Sequence, residues 1–322
     1  MARYLITGGS GFIGTHIVST LLNDKQTTLL SIDIKAPKID AHKNIWKKVD
    51  ICDLKSLKNT ILEFQPEYII HLAARTDLRG KKLDDYAANI EGVKNLLVAL
   101  DQVDSVRRVI FTSSMYVCYP GYTPKDFEDY APHTLYGESK VLTEKLIKKH
   151  NCQQYTWSII RPTSIWGPYF GEPYDKFFKI VLSHSYFHMG ERACKKTYGY
   201  IDNSVYQILS IMRSKTSLVH EKVFYIGDYE PYDITEWANE IASLVNIKIP
   251  KIPYFTFYLA GKFGDLLKLV GITFPMTSFR LKNMTTNNIH NLSPIHEIAP
   301  NLPVKRIDGS KATIEWINKA NK

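Results

Sequence analysis

Residues 3–14 read Arg-Tyr-Leu-Ile-Thr-Gly-Gly-Ser-Gly-Phe-Ile-Gly, and this stretch decides the fold. A short apolar segment enters a glycine-rich turn, and the periodic apolar residues of 15–22 predict a helix after the turn. Glycines at positions 8, 11 and 14 leave the backbone bare, so a pyrophosphate can approach the unpaired N–H groups at the helix N-terminus. The stretch therefore predicts a strand, turn and helix that bind a dinucleotide.

A second apolar segment, Thr27 to Ile32, ends in Asp33. An acid at this position accepts hydrogen bonds from the 2′- and 3′-hydroxyls of an adenosine ribose and repels a 2′-phosphate. Lys35 follows two residues later and weakens that preference. We therefore expect NAD as the cofactor, with NADP less favoured.

Tyr136 and Lys140 lie four residues apart in a segment with helical periodicity, which places a phenol and an ammonium on one helix face. A free tyrosine has a pKa of about 10, and a neighbouring cation lowers it. The pair is a weak motif alone, and it gains weight from the glycine turn at the other end of the domain.

These segments together resemble the extended branch of the short-chain dehydrogenase/reductase superfamily, the nucleotide-sugar-modifying NAD-dependent epimerases and dehydratases typified by UDP-glucose 4-epimerase. The resemblance runs from Arg3 to about Asn203. It implies an α/β fold, with a Rossmann-type doubly wound parallel sheet and a smaller interleaved C-terminal α/β substrate domain. We expect the NAD(P)-binding domain at 1–162, with segments at about 196–232 returning to it, and mainly substrate domain at 163–322.

Alternating apolar and amphipathic segments predict the same parallel sheet with helices on both faces. A helix is expected at Thr235–Leu244. The expected strands are Arg3–Thr7, Thr27–Asp33, Trp46–Val49, Tyr68–Leu72, Arg107–Thr112, Thr156–Arg161 and Val223–Gly227.

The resemblance implies cofactor contacts at the carboxyl ends of these strands. Gly8, Gly11 and Gly14 would hold the pyrophosphate. Asp33 would hold the adenosine ribose and Asp53 the adenine amino group. The other positions matched to the cofactor are Phe12, Ile13, Leu54, Leu72, Ala73, Ala74, Asn89, Thr112, Tyr136, Lys140 and Pro162.

It also implies the catalytic residues Ser114, Tyr136 and Lys140. Ser114 would hydrogen-bond the substrate oxygen that alternates between hydroxyl and carbonyl, and Tyr136 would take or give its proton. Lys140 would lower the pKa of Tyr136 and bind the nicotinamide ribose.

Substrate contacts are implied at Ser114, Met115, Tyr136, Ser164, Lys196 and Arg280. Lys196 stands where the family has an arginine that grips the diphosphate of a nucleotide sugar, and Arg280 is a second candidate. Lysine binds phosphate as a point charge without the bidentate fork of arginine.

Four further positions depart from the family pattern. Ser164 replaces the asparagine with which sugar epimerases hold their substrate. Met115 and Tyr116 replace the Asp-Glu pair of the dehydratases, so we set dehydration aside. Cys118 lies near the site and is either an acid for 3,5-epimerisation or a small buried thiol.

Three functions stay open. The first is a nucleotide-sugar 4-epimerase that retains NAD through a transient 4-keto sugar. The second is an NAD(P)-dependent oxidoreductase of a CH–OH group, such as a 4-keto nucleotide-sugar reductase or a 3β-hydroxysteroid-type dehydrogenase. The third is an NAD-binding sensor or scaffold, which the intact catalytic residues disfavour.

The chain has 322 residues and a net charge of +9, and its apolar content of 44% is ordinary for a soluble globular protein. The basic residues show no nucleic-acid-binding pattern, and the cysteines at 52, 118, 152 and 194 show no metal spacing, so we expect neither partner. With no signal peptide recognisable, we expect reduced thiols and a cytoplasmic location. The resemblance implies a homodimer that pairs the helix of Tyr136 and Lys140 with its neighbour. Candidate dimer contacts are Val141, Leu142, Leu146 and Ile147.

The longest apolar run, Pro253 to Phe274, contains Lys262, Asp265 and Lys268. It is too charged to span a bilayer, so we expect no integral membrane segment. We expect an amphipathic helix lying on the protein, with a helix at a membrane surface as the alternative.

Overall fold

Parallel strands and flanking helices make up most of the chain in this computed structural model, which describes residues 1–150, 154–172, 175–190, 194–269, 271–272 and 274–320. In chain order the described strands are β1 (Ala2–Thr7), β2 (Thr27–Asp33), β3 (Trp46–Lys48), β4 (Tyr68–His71), β5 (Arg108–Thr112), β6 (Thr156–Pro162), β7 (Ser164–Trp166), β8 (His188–Met189), β9 (Lys195–Lys196), β10 (Tyr198–Tyr200), β11 (Lys222–Ile226), β12 (Tyr232–Asp233) and β13 (Lys251–Ile252).

The α-helices begin directly after the glycine turn and continue to the end of the described chain. They are α1 (Phe12–Leu22), α2 (Leu54–Phe64), α3 (Ala87–Leu100), α4 (Leu135–Lys149), α5 (Asp175–Leu182), α6 (Ile201–Arg213), α7 (Thr216–Val219), α8 (Ile234–Ser243), α9 (Tyr254–Leu269), α10 (Ser278–Thr285), α11 (Ser293–Ile298) and α12 (Arg306–Ala320). Short 3₁₀ helices cover Asp40–Ile45, Leu83–Tyr86 and Met115–Val117.

The central sheet has seven parallel strands in the order β11-β6-β5-β4-β1-β2-β3. The order reverses between β1 and β4, and a crevice at such a reversal is where ligands bind in doubly wound sheets. The predicted α/β fold is confirmed. Each predicted strand of the sheet, and the predicted helix that became α8, ends within one residue of its observed bounds.

Side chains that alternate along each strand build two cores, one on either face of the sheet. Ile69 and Val109 point to the face covered by α2 and α3. Ile70 and Ile110 point to the opposite face, which α1 and α6 cover. The near-continuous apolar strands of the sequence follow from burial on both sides.

The C-terminal half returns to the sheet through β11, which pairs in parallel with β6. The exact domain boundaries, 1–162 and 163–322, stay a prediction. Outside the sheet, the short strands pair as β7 with β10, β8 with β13 and β9 with β12.

The apolar run at 253–274 forms α9, and its residues Val270 and Thr273 lie outside the described part of the chain. Among the described residues, no helix is both long enough and apolar enough to cross a bilayer. The free thiols of Cys118 and Cys194 are buried and that of Cys52 is exposed, whereas Cys152 lies outside the described residues.

The four apolar residues named for a dimer divide into two pairs. Val141 and Ile147 are 6% and 2% exposed and belong to the core, so they are not available to a partner. Leu142 and Leu146 are half-buried and line a shallow surface groove on α4. The homodimer stays a prediction.

A buried carboxyl group, Asp228, joins three segments behind β11. It accepts hydrogen bonds from Tyr200 N at 3.3 Å, from Asn203 Nδ2 at 3.0 Å and from the Tyr232 hydroxyl. Burial raises the pKa of Asp228 to about 6, against the opposing effect of the Tyr232 and Asn203 hydrogen bonds.

This raised pKa predicts a pH-dependent stability. Between about pH 4 and 6 the unfolded chain loses the Asp228 proton while the folded chain keeps it, so the free energy of unfolding falls as pH rises, by about 3 kcal/mol. Asp228→Asn should remove this fall, which urea denaturation at a series of pH values would measure. Identical pH profiles for the two proteins would contradict the assignment.

Candidate active site

The glycine turn approaches the loop after β4 too closely for any side chain. Gly8 has φ +72°, and a Cβ there would lie 2.6 Å from Ala73 N. A Cβ at Gly14 would overlap the Gly8 carbonyl oxygen. The first turn of α1 holds no acid, and no side chain caps its N-terminus at Gly11. Backbone N–H groups are therefore available to an anion at this point.

Asp33 is tied to the same turn at the end of β2. Its carboxylate accepts hydrogen bonds from Ser10 N at 3.1 Å and from Lys35 N at 2.9 Å. The side chain is half-buried and each oxygen keeps a second lone pair, which suits a diol such as a ribose. Lys35 therefore engages Asp33 through its backbone.

Asp53 is exposed and caps the N-terminus of α2, where its Oδ1 accepts a hydrogen bond from Ser56 N at 3.1 Å. Leu54 begins that helix and is 38% exposed. One carboxylate oxygen thus has a structural role, and the adenine contact predicted for Asp53 and Leu54 stays a prediction.

Asn89 joins the loop after β4 to α4. Its Oδ1 accepts a hydrogen bond from Arg75 N at 2.8 Å, and its Nδ2 donates to Ser139 Oγ at 2.8 Å. Asn89 is only 1% exposed, and its hydrogen bonds hold the loop that contains Leu72, Ala73 and Ala74. We infer that Asn89 shapes the cofactor crevice through these bonds.

Ser114, Tyr136 and Lys140 are 6%, 7% and 3% exposed at the carboxyl edge of the sheet. Ser114 follows β5, and its Oγ accepts a hydrogen bond from Tyr116 N at 3.1 Å. Tyr136 and Lys140 lie one turn apart on α4, whose N-terminus Thr134 caps. Lys140 Nζ donates to the Thr112 carbonyl oxygen at 2.8 Å.

The pKa values at this site differ from the expectation. Burial raises the pKa of Tyr136 to about 12, although a hydrogen bond with Ser114 opposes the rise. Burial lowers the pKa of Lys140 to about 8. The expected lowering of the Tyr136 pKa by Lys140 is not found, because desolvation of the phenol dominates and the ammonium instead faces the Thr112 carbonyl.

Both candidates for a diphosphate contact are associated with α10, one by a hydrogen bond and the other by position. Lys196 is half-buried in β9, and its Nζ donates to the Asn283 carbonyl oxygen of α10 at 2.8 Å. Burial lowers the pKa of the Lys196 ammonium. Arg280, on the same helix, is exposed and donates to the Pro275 carbonyl oxygen at 2.8 Å. Lys196 is the more desolvated cation.

Ser164 and Met115, two of the predicted substrate contacts, lie on separate segments of the chain. Ser164 is half-buried at the start of β7, where it pairs with Tyr198 of β10. Met115 is 9% exposed, directly after Ser114. Asn288 Nδ2 approaches the Met115 sulfur at 3.9 Å, so the chain after α10 reaches the catalytic segment.

Asn288 connects segments of the candidate site, and the sequence analysis missed it. Its Oδ1 accepts a hydrogen bond from Gly121 N at 3.1 Å, and its backbone oxygen accepts one from Thr197 N at 2.9 Å. It thereby links the segment after Ser114 to Thr197, the residue that follows Lys196. A lone asparagine in an irregular stretch gave no signal for this role.

Glu144 was also missed, although it lies one turn beyond Lys140 on α4. Its carboxylate accepts a hydrogen bond from Arg161 Nε at 2.8 Å and another from Nη2 at 2.7 Å. The two side chains are 0% and 1% exposed, and the Tyr130 hydroxyl adds a third bond to Glu144 at 2.9 Å. A charged residue on the buried face of a helix was the available signal.

These residues fit a dinucleotide. The crevice combines the bare turn at Gly8 with the acid at Asp33. At its far end the buried hydroxyls of Thr112 and Ser113 have no hydrogen-bond partner among the described residues. Pro162 ends β6 beside them. The resulting polar, partly unsatisfied edge is a suitable place for the nicotinamide riboside.

Comparison with known proteins supports the same assignment. The model of the family described as "NAD dependent epimerase/dehydratase family" matches residues 4–227. A 3-beta-hydroxysteroid dehydrogenase of Mycolicibacterium neoaurum is 28% identical over 269 residues, which cover 78% of this chain and 72% of that protein.

Two further proteins match over nearly the whole chain. The N-acetyl-alpha-D-glucosaminyl-diphospho-ditrans,octacis-undecaprenol 4-epimerase of Escherichia coli O157:H7 is 24% identical, over 97% of this chain and 94% of that protein. The crystal structure of a UDP-glucose 4-epimerase from Thermotoga maritima with UDP-glucose superposes with a TM-score of 0.76 at 20% identity, covering 99% and 100% of the two chains.

We expect the buried Arg161–Glu144 pair to be essential for stability. Arg161→Met should lower the free energy of unfolding by about 3–5 kcal/mol, because it leaves the Glu144 carboxylate buried without its cation. Urea denaturation would measure the change. Glu63→Gln, which removes the exposed Lys47–Glu63 pair, is the matched control and should cost less than about 1 kcal/mol. Equal losses would refute the role of the buried pair.

Proposed function

The chain belongs to the NAD dependent epimerase/dehydratase family, and from this premise we propose that it is a 4-epimerase of a nucleotide sugar. Membership confirms the resemblance to the extended short-chain dehydrogenase/reductases, which makes the chain an NAD-dependent enzyme. The proposal depends above all on one observation: Ser114, Tyr136 and Lys140 are buried together at the carboxyl edge of the sheet.

Each catalytic residue has a role that its position supports. The Ser114 hydroxyl donates to the substrate oxygen at C4 of the sugar and holds it near the Tyr136 phenol. Tyr136 takes the proton of the sugar C4 hydroxyl group and later returns it to the C4 oxygen. Lys140 holds the end of β5 through the Thr112 carbonyl and presents its remaining N–H groups to the nicotinamide ribose. When bound, NAD supplies the hydride acceptor.

The high pKa of Tyr136 has a consequence for this proposal. A phenol with a pKa near 12 is protonated at neutral pH, so proton removal requires a cation beside the phenolate. We therefore infer that Tyr136 acts as a base only when a cationic ligand, such as the oxidised cofactor, lies beside it.

The substrate side supports a sugar joined to a diphosphate. Lys196 offers a half-buried ammonium, and a desolvated cation binds phosphate more strongly than a surface lysine does. The 4-epimerase of E. coli O157:H7 acts, by its name, on a sugar with a diphospho link. We propose Lys196 as the diphosphate contact, with Arg280 at the exposed end of the same site. We infer that Ser164 contacts the sugar.

A hydroxysteroid-type oxidoreductase is the second candidate. The similarity to the steroid dehydrogenase of M. neoaurum favours it. The same three catalytic residues would serve, because a steroid alcohol and a sugar C4 hydroxyl are both secondary alcohols. The difference is that an oxidoreductase exchanges its cofactor at each turnover, whereas an epimerase returns the hydride to the same substrate.

One experiment separates these reactions. For an epimerase, NAD should remain bound through gel filtration, and turnover should give no net change in nicotinamide absorbance. Steady reduction of added NAD would instead establish the oxidoreductase. Thermal stabilisation by UDP-, GDP-, CDP- or dTDP-sugars would then identify the nucleotide, because only ligands with affinity for the folded state raise the melting temperature.

A cytoplasmic location and a homodimer remain part of the proposal.

Tyr136→Phe should bind NAD as the wild type does and lose turnover by about 100-fold or more, because the proton acceptor is removed. Turnover of the substrate found in the panel would measure the loss, and cofactor titration would measure binding. Tyr122→Phe is the control, since its hydroxyl bonds Asp129 outside the site. Near-normal activity of Tyr136→Phe would rule out the mechanism.

Lys196→Ala should raise the KM for a diphosphate-linked sugar about 10-fold or more without changing NAD affinity, because a charge-assisted contact is lost. Its neighbour Lys195 provides a matched control, since that side chain is exposed on the other face of the same strand. Steady-state kinetics of both alanine variants would decide the matter. If both variants changed KM equally, Lys196 would not be the specific contact.

A further inference from the structure

The helix α9 faces the protein with its small residues and the solvent with its large apolar ones. Gly261 and Gly264 are buried, and a Cβ at Gly264 would overlap the Met276 carbonyl oxygen. On the opposite side, Phe255 is 65% exposed, Leu259 51% and Leu266 60%. An isolated surface helix normally shows the reverse arrangement. The outer side of α9 is therefore built to be covered.

The exposed apolar area extends beyond these three residues. We define the α9 face as the exposed residues Phe255, Tyr258, Leu259, Phe263, Leu266 and Leu269. Ile272 and Phe279, in the segment that leads to α10 and at its start, are exposed as well. A cluster of large exposed apolar side chains on one helix marks a site of interaction with a protein or a membrane.

The charges around the α9 face are almost all positive. The two helices α9 and α10 contain four basic residues, Lys262, Lys268, Arg280 and Lys282, and a single acid, Asp265. The Asp265 carboxylate accepts a hydrogen bond from Ser278 N at 3.1 Å and offsets one of the four positive charges, so the two helices remain net positive. The surface that would cover this face must therefore be both apolar and anionic.

We propose that the α9 face docks on the surface of an anionic lipid bilayer, with the helix axis in the interfacial plane. Phenylalanine and leucine side chains would enter the acyl boundary, and the lysines would meet lipid phosphates and carboxylates. A second copy of the chain fits less well, since a two-fold contact through this face would bring two sets of the same basic residues together.

The site and this surface are physically connected. Asn283 of α10 accepts the hydrogen bond of Lys196, and α10 packs beside α9. Docking through α9 would thus place the substrate side of the crevice toward the lipid. The proposal does not depend on which alcohol the enzyme oxidises, so its failure would leave the proposed function unaffected.

Flotation of the full-length protein with vesicles tests the proposal. The wild type should float with vesicles of phosphatidylcholine and phosphatidylserine, and less with phosphatidylcholine alone. Phe255→Gln/Leu259→Gln/Leu266→Gln should reduce partitioning about 100-fold or more, because three apolar side chains no longer enter the interface. Lys262→Gln/Lys268→Gln should reduce it about 30-fold and weaken its salt dependence.

The control is Leu78→Gln/Leu218→Gln, which changes two residues of 51% and 53% exposure outside the α9 face and should float like the wild type. Circular dichroism melts would establish that every variant is folded. The proposal is overturned if the wild type stays with the soluble fraction or if the triple variant floats equally well. It is also overturned if light scattering shows that the wild type is a dimer and the triple variant a monomer, since a second copy would then cover the α9 face.

Discussion

The buried ion pair between Arg161 and Glu144 is the interaction on which the active site depends. Arg161 belongs to β6 and Glu144 to α4, so the two hydrogen bonds between them fix how α4 lies on the sheet. Burying two charges is expensive unless every donor and acceptor is satisfied. Here Tyr130, Tyr225 and the Phe127 carbonyl complete the network. Because Tyr136 and Lys140 lie on the same helix, the pair also fixes their side chains toward the crevice.

The same burial that positions the proposed catalytic residues Tyr136 and Lys140 also opposes their ionisation. A Tyr136 pKa near 12 and a Lys140 pKa near 8 are both shifted toward the neutral form. At neutral pH the Tyr136 phenol is therefore neutral and Lys140 is still mostly charged, and each electrostatic interaction is stronger in this buried environment than in water. Lys140 contacts the Thr112 carbonyl, and its position relative to β5 is therefore set independently of Tyr136.

The sequence predicted the sheet well because its information is local. Strands buried on both faces are apolar throughout, and glycine is required where Gly8 approaches Ala73, so both features are visible in the residues themselves. The contact between Asn288 and the segment after Ser114 joins parts of the chain far apart in sequence, and no local pattern records it. The pKa of Tyr136 was mispredicted because spacing shows that Lys140 is near but not how much water burial removes.

The orientation of α9 illustrates the same limit and shows what structure adds. Its periodicity predicted an amphipathic helix on the protein. Periodicity shows that the large apolar residues share one side of the helix, but not whether that side faces the protein or the solvent. Gly261 and Gly264 decide between them, because only small residues fit against the segment before α10 and their burial turns the large apolar residues outward. Charge adds to this steric cause: Asp265, the one acid of the two helices, offsets one of the four basic residues, so the surface stays net positive. Shape and charge together make an anionic lipid surface the partner that satisfies both.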